Sequence, residues 1–337
     1  MKPFLSRIGP APLGGGFRDD DYWIWCGSVI RDDAGMYHMF ASRWSKDVPF
    51  TPNWLTHSRV VRAVSETPAG PYRYVEDILS PRGAEYWDGR MTHNPTIHRC
   101  GDTYLLFYTG STFEAPIPAA GPADDATRLE ARRNQRIGLA TAPSAAGPWT
   151  RMDAPILAPR PGKWDALMTT NSAPCVLENG NVLLLYKSTG TESGPIQYSV
   201  AFADHFSGPY RRLLEEPLVW GGMTDTPYED AYIWHQDGAY WMLFNDMTGA
   251  FTGEHHAGAL ATSSDGIHWS LAPEPKAYSR TILWDNGTQT EQGSFERPQL
   301  LIENGVPTYL FAATADGKGW SQGAENTWNM VVPLGGR

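Results

Sequence analysis

Glu229, Asp230 and Glu296 stand in two short stretches, Tyr228-Glu229-Asp230-Ala231 and Phe295-Glu296-Arg297-Pro298, at the same place in two of five similar segments of a 337-residue chain. The equivalent stretches are Trp25-Cys26-Gly27-Ser28, Thr92-His93-Asn94-Pro95 and Asn171-Ser172-Ala173-Pro174. Taken together they supply three carboxylates and the polar side chains of His93, Asn94, Asn171, Ser172 and Arg297. Carboxylates gathered in a partly desolvated space titrate apart, so that one stays protonated as an acid while another is ionised as a base or nucleophile. Paired with Arg297 or Arg43, the same groups would instead hold neighbouring segments together, and residue type leaves both uses open. The first segment has no carboxylate at this place, but Asp19-Asp20-Asp21 lies just upstream and makes Asp20 and Asp21 candidates.

The elements that must position these residues are hairpins. Five occur, over residues 27–42, 94–110, 173–188, 230–246 and 297–314, each with a polar, Gly-containing turn such as Asp32-Asp33-Ala34-Gly35 or Gln236-Asp237-Gly238. Aromatic and β-branched residues dominate their flanks, as in Tyr240-Trp241-Met242-Leu243-Phe244, which are strand signals. Downstream comes a strand of small residues and then a turn with an aromatic: Gly70-Pro71-Tyr72, Gly147-Pro148-Trp149, Gly208-Pro209-Tyr210, and Gly266-Ile267-His268-Trp269. No stretch shows sustained helical periodicity. Five units of about four strands predict an all-β, five-bladed β-propeller with the first strand of each blade at the axis, one domain over 1–337, its fifth blade completed by the segment before Tyr22. A β-sandwich is the alternative. Long connections at 74–91, 112–135, 248–256 and 271–295 fall on one face, which marks it as functional.

Composition narrows the chemistry. The formal net charge is −10 with no Lys/Arg-rich run, which argues against a nucleic-acid partner. Cys26, Cys100 and Cys175 lie far apart without metal-ligand spacing, so free thiols in a reducing compartment, no metal and no cofactor are expected. Neither a signal-peptide pattern nor a run long enough to span a membrane is present, giving a cytoplasmic expectation. Fourteen Trp and 15 Tyr suit both sheet cores and sugar-stacking surfaces.

Glycosidic-bond cleavage needs two carboxylates flanking the bond, and the pattern above can supply them. Further substrate contacts are expected from Trp87-Asp88, Trp164-Asp165, and from Arg43, Lys187 and Asp246, which end second strands. A structural Trp-Asp clasp between blades is the alternative use of the first two. Arg43, Lys187 and Arg297 could receive an acidic group on the sugar, because Arg binds carboxylates in bidentate fashion. His93 could contact substrate, act as the acid, or orient a carboxylate.

Asn94-Pro95-Thr96-Ile97 leading through Gly101 to Tyr104-Leu105-Leu106-Phe107-Tyr108 resembles the inner-strand frame of the five-bladed propeller glycoside hydrolases, the superfamily of glycoside hydrolase families 43 and 32. Phe295-Glu296-Arg297-Pro298 resembles the Glu-Cys-Pro setting of the family 32 acid, and Tyr228-Glu229-Asp230 the Glu-Gly-Pro setting of the family 43 acid. The chain departs from those families in having no Asp-Pro on the first blade and Asn on the second and third. The resemblance implies a hydrolase of an oligosaccharide or polysaccharide fragment, expected to be exo-acting; Asp21, Glu229 and Glu296 are the catalytic candidates, Glu296 tuning a pKa or gripping a hydroxyl. Asp20, Arg43, Asp88, His93, Asn94, Asn171, Lys187, Asp230, Asp246 and Arg297 are the substrate-contact candidates. Asp21 as base and Glu229 as acid, two blades apart, give an inverting geometry. A polysaccharide lyase, a glycoside phosphorylase and a non-catalytic glycan-binding propeller are the alternatives on the same fold.

Overall fold

A computed structural model describes residues 3–118, 121–218, 228–317 and 323–336. Four blades are four-stranded antiparallel sheets. Blade 1 holds β1 (Tyr22–Arg31), β2 (Tyr37–Ser45), β3 (Arg59–Ser65) and β4 (Arg73–Leu79); blade 2 holds β5 (Met91–Cys100), β6 (Thr103–Ser111), β7 (Arg136–Ala142) and β8 (Thr150–Arg151). Blade 3 holds β9 (Met168–Val176), β10 (Val182–Thr189), β11 (Gln197–Ala203) and β12 (Arg211–Arg212), and blade 4 holds β13 (Tyr228–Gln236), β14 (Ala239–Asp246), β15 (Ala257–Ser263) and β16 (Ser270–Tyr278). A short hairpin, β17 (Thr281–Leu283) and β18 (Gln289–Glu291), precedes blade 5, which holds β19 (Ser294–Glu303), β20 (Val306–Ala315) and β21 (Thr327–Pro333). The segment ahead of β1 joins β21 through Phe17–Asn329 and Ile8–Leu334 bridges. First and last parts of the chain thus share a blade, as the sequence suggested.

The repeated turns have a local cause. Gly70, Gly147 and Gly208 all take φ near +90° (88°, 95° and 89°), a region that side chains with a Cβ rarely enter. After two of these turns the aromatic folds back, Tyr72 Oη donating to the Pro68 carbonyl and Tyr210 Oη to that of Phe206. Apolar faces of successive blades then pack on each other, as where β19–β21 meet β13–β15 around Trp234, Leu243, Phe295 and Leu310.

Among the described residues two short α-helices stand where the sequence shows no sustained helical periodicity. α1 (Phe50–His57), kinked at Thr51 and Pro52, and α2 (Asp125–Arg133) lie within the β2–β3 and β6–β7 connections. Asp124 caps α2 by accepting from Thr127 N at 2.7 Å, a start signal in a helix too short to show periodicity.

The structure reassigns several candidate contacts. Asp88 is fully buried; it accepts from Tyr108 Oη at 2.6 Å and Arg82 Nε at 2.7 Å, with Arg151 at 3.4 Å. Asp165 repeats the arrangement in blade 3 with Tyr186, Arg160 and Arg212, and Trp87 and Trp164 stack on the two tyrosines. Both Trp-Asp pairs are therefore clasps that tie a top loop to its blade. Asp246 is likewise buried and accepts from the backbone N–H groups of Gly249, Phe251 and Thr252, ordering its own loop. Arg43 pairs with Asp19 at 3.0 Å and lies between the rings of Tyr22 and Tyr74. None of these side chains is free for a substrate. Replacing Asp88 by Ala leaves two guanidinium groups without their buried counter-charge, and urea unfolding should show a loss of about 3–5 kcal/mol; an unchanged midpoint would remove the clasp from the account.

Candidate active site

Each inner strand is interrupted by a bulge at one level. The ladder register breaks between Trp25 and Ser28, His93 and Thr96, Glu229 and Tyr232, and Glu296 and Gln299, and opposite Leu185 and Lys187 in blade 3. At each break one residue sits in the left-handed region: Cys26 (φ 59°), Asn94 (50°), Asn171 (46°), Asp230 (59°) and Arg297 (55°). A bulge inserts an unpaired residue and re-aims its side chain, here once per blade.

The five re-aimed side chains bond to one another. Cys26 Sγ donates to Asn94 Oδ1 (2.6 Å), Asn94 Nδ2 to Asn171 Oδ1 (2.7 Å), Asn171 Nδ2 to Asp230 Oδ1 (3.3 Å), and Arg297 Nη1 to the same Asp230 oxygen (3.1 Å). The Arg297 guanidinium also acts on the Cys26 thiol, which brings the two ends of this chain of bonds together. Three backbone N–H groups of the circle are tied to the preceding blade, those of Asn94, Asn171 and Asp230 to Ser42 Oγ, Thr109 Oγ1 and Tyr198 Oη. Burial pushes the Cys26 thiol up to about 11, so it is neutral and not a nucleophile. The circle plugs the axis with one internally compensated ion pair.

Above this floor opens a cavity of about 670 Å³ on the face carrying α2, within the range of small-molecule sites. Its walls include the residue just before each bulge: Trp25, His93, Thr170, Glu229 and Glu296. A smaller hollow of about 460 Å³ among His98, Tyr232 and Trp234 has Glu178 as its single carboxylate. The cavity above the floor, with its several carboxylates, is therefore the candidate active site.

Glu296 is buried, and burial, followed by the nearby charges of Asp230 and Glu229, pushes its carboxyl up to about 8. Glu229 is ion-paired with Lys187 at 3.1 Å. His93 receives or donates a hydrogen bond at Nδ1 with Ser58 Oγ (2.7 Å) and stacks on Trp54, ring centroids 4.8 Å apart. Burial, then the charges of Arg297 and Lys187, hold its ring well below the usual histidine range. Burial thus favours the uncharged ring of His93, which suits a wall residue better than an acid.

Of the residues singled out from sequence, Glu229, Glu296, His93, Asn94, Asn171, Lys187, Asp230 and Arg297 come together here. Asp230 and Arg297 neutralise each other in the floor. Asp20 and Asp21 do not reach the site. Both are exposed and lie outside the residues that line the cavity. Asp21 precedes Trp25 by four residues, which at about 3.3 Å per strand residue is about 13 Å along β1. Its assignment as base is therefore corrected. Sequence reasoning missed Trp54 on α1, Arg132 and Gln135 at the end of α2, Asn245, His256 and Arg280. Their signal was only that they sit in or beside the long connections.

The Glu296 carboxyl has a stability consequence. Between its ordinary value of 4.5 and about 8, the folded protein retains a proton that the unfolded chain releases, so rising pH removes stability across that window. Glu296→Gln should flatten this decline in thermal or urea unfolding measured against pH. An identical decline in the variant would show that Glu296 titrates normally.

No family model and no curated protein matches the chain. Solved structures do. A family 117 glycoside hydrolase of the marine bacterium Zobellia galactanivorans superposes with a TM-score of 0.64 at 14% identity, over 97% of this chain and 89% of that one. An α-L-arabinofuranosidase of Podospora anserina, solved with cellotriose, gives 0.60 at 12%, over 99% and 98%. An endo-arabinase of Bacteroides thetaiotaomicron gives 0.57 at 14%, over 97% and 98%. At such identities the likeness is one of architecture: the chain has the five-bladed β-propeller fold of these glycoside hydrolases.

Proposed function

We propose that the protein is a glycoside hydrolase, exo-acting and inverting, with Glu296 as general acid and Glu229 as general base. The observation that carries this reading is the carboxyl of Glu296, raised to about 8 beside a second carboxylate, Glu229, that is ion-paired. Two carboxyl groups whose surroundings push their protonation apart are the arrangement that glycosidic cleavage requires. Protonated Glu296 gives its proton to the leaving oxygen as the glycosidic bond breaks. Glu229 takes a proton from the water that attacks the anomeric carbon.

The inverting reading is supported by where Glu229 is anchored. Lys187, on β10 of blade 3, holds Glu229 on the side away from blade 5, to which Glu296 belongs. Carboxyls held apart leave room for a water, whereas a nucleophile needs close approach. The exo reading rests on the floor: a cavity closed beneath by the five-residue circle accepts the end of a chain rather than its middle. The half-buried Trp54, in the wall beside His93, offers a face for a sugar ring. The ligand is accordingly an oligosaccharide or polysaccharide fragment.

Glu229→Gln and Glu296→Gln should each lower turnover by at least about a hundredfold on whichever oligosaccharide of a product-analysis panel the wild type cleaves, with folding retained. A variant with normal turnover would make its residue structural. Because the acid must be protonated, kcat/KM should fall as pH rises through about 8. Proton NMR of the first-formed anomer should show inversion, and retained configuration would turn Glu229 into a nucleophile.

A further inference from the structure

The four arginines at and after α2 differ in what they bind. Arg128 pairs with Asp125, Arg133 pairs with Glu192, and Arg136 donates to the carbonyls of Arg133, Gln135 and Leu167. Arg132 has no side-chain hydrogen bond or ion pair among the described residues, yet it lines the cavity. Three residues on, Gln135 also lines it, is 2% exposed, and carries an Nε2 without a hydrogen-bond partner among the described residues. A buried amide donor left unpaired costs about 1–3 kcal/mol, so its persistence beside a free guanidinium points to something that accepts from both.

Position says what that acceptor is. Ala131, next to Arg132, packs in one apolar cluster with Leu55, and Trp54 lies against the same cluster. Arg132 and Gln135, from the β6–β7 connection of blade 2, line the same cavity as Trp54, whereas Glu296 belongs to blade 5. A sugar ring lying on Trp54 would share one enclosure with Arg132 and Gln135. A planar carboxylate on that ring matches the planar guanidinium fork, and Gln135 Nε2 supplies a further donor.

We propose that Arg132 and Gln135 form a carboxylate-binding subsite, and that the substrate carries a uronic acid in the ring seated on Trp54. This names the substrate class of the site described above and rests on that hydrolase reading. The assignment differs from an acidic-group role for Arg43 or Arg297, whose guanidinium groups are ion-paired with Asp19 and Asp230.

Calorimetric binding of matched pairs tests it: methyl glucuronide against methyl glucoside, and methyl galacturonide against methyl galactoside, with inorganic phosphate as a separate probe. In the wild type at least one acidic member should bind about tenfold or more tightly than its neutral partner, the scale of a charge-assisted hydrogen bond. Arg132→Gln should abolish that preference, Arg132→Lys should restore part of it, and Gln135→Leu should reduce it. No acidic preference in either pair, or a preference that survives Arg132→Gln in folded protein, would overturn the subsite. Arg132-dependent binding of phosphate without binding of either uronide would also overturn it, in favour of a phosphate site. The readout is binding alone, so the hydrolase reading can fail, through absence of any cleavage, while the acidic preference stands.

Discussion

The structure depends on one geometric constraint: every inner strand turns one residue into the left-handed region at the same height. Five side chains of quite different chemistry then meet on the axis, linked by hydrogen bonds. A propeller without such a plug would leave a channel; here the channel becomes a pocket with a polar, internally compensated floor. The constraint is costly at residues other than glycine and is held by the surrounding blades. Gly27 shows how tightly: at φ 144° a Cβ would come within 2.3 Å of Asn329 Nδ2, which donates to the Cys26 carbonyl and joins blade 5 to blade 1.

That floor explains where the chemistry sits. With Asp230 matched to Arg297, its carboxylate is part of the plug. The residues one step earlier, Glu229 and Glu296, stand in the wall above. The residue that matters for the raised carboxyl of Glu296 is thus partly the neighbour of its own neighbour: Asp230 adds to the effect of burial, and Glu229 adds to both. Blades 1, 2 and 3 contribute Trp25, His93 and Thr170 at the equivalent wall positions, groups that shape the cavity without competing as carboxylic acids.

The propeller was legible in the sequence because its requirements are local. Glycine before proline and an aromatic marks a turn with positive φ, and a polar Gly-containing turn between aromatic strands marks a hairpin; five repeats of the hairpin and three of the glycine-proline turn leave few folds to choose from. The level of the site was legible too, since the five stretches could be aligned on those turns. What sequence could not resolve was which of two adjacent residues faces the cavity, because a bulge re-aims the pair: Glu229 and Asp230 read alike and serve different ends. Asp21 was misplaced for a related reason, since distance along a strand, and not nearness in sequence to the first blade, decides whether a carboxylate reaches the axis. Asp88, Asp165 and Asp246 looked available because their partners, Tyr108, Tyr186 and backbone amides in a loop, are set by tertiary packing. Trp54, Arg132 and Gln135 were hidden in connections whose short helices carry little periodicity.

The central claim is that Glu296 is a protonated carboxylic acid when the protein is at neutral pH, with a neighbouring carboxylate ion-paired beside it. An infrared difference spectrum, wild type minus Glu296→Gln, recorded across a pH series, reads that proton directly. The account predicts a protonated-carboxyl carbonyl stretch that persists at neutral pH and disappears as pH rises through about 8. A band already lost in the ordinary carboxylate range, near 4.5, would contradict it and leave the site without its acid.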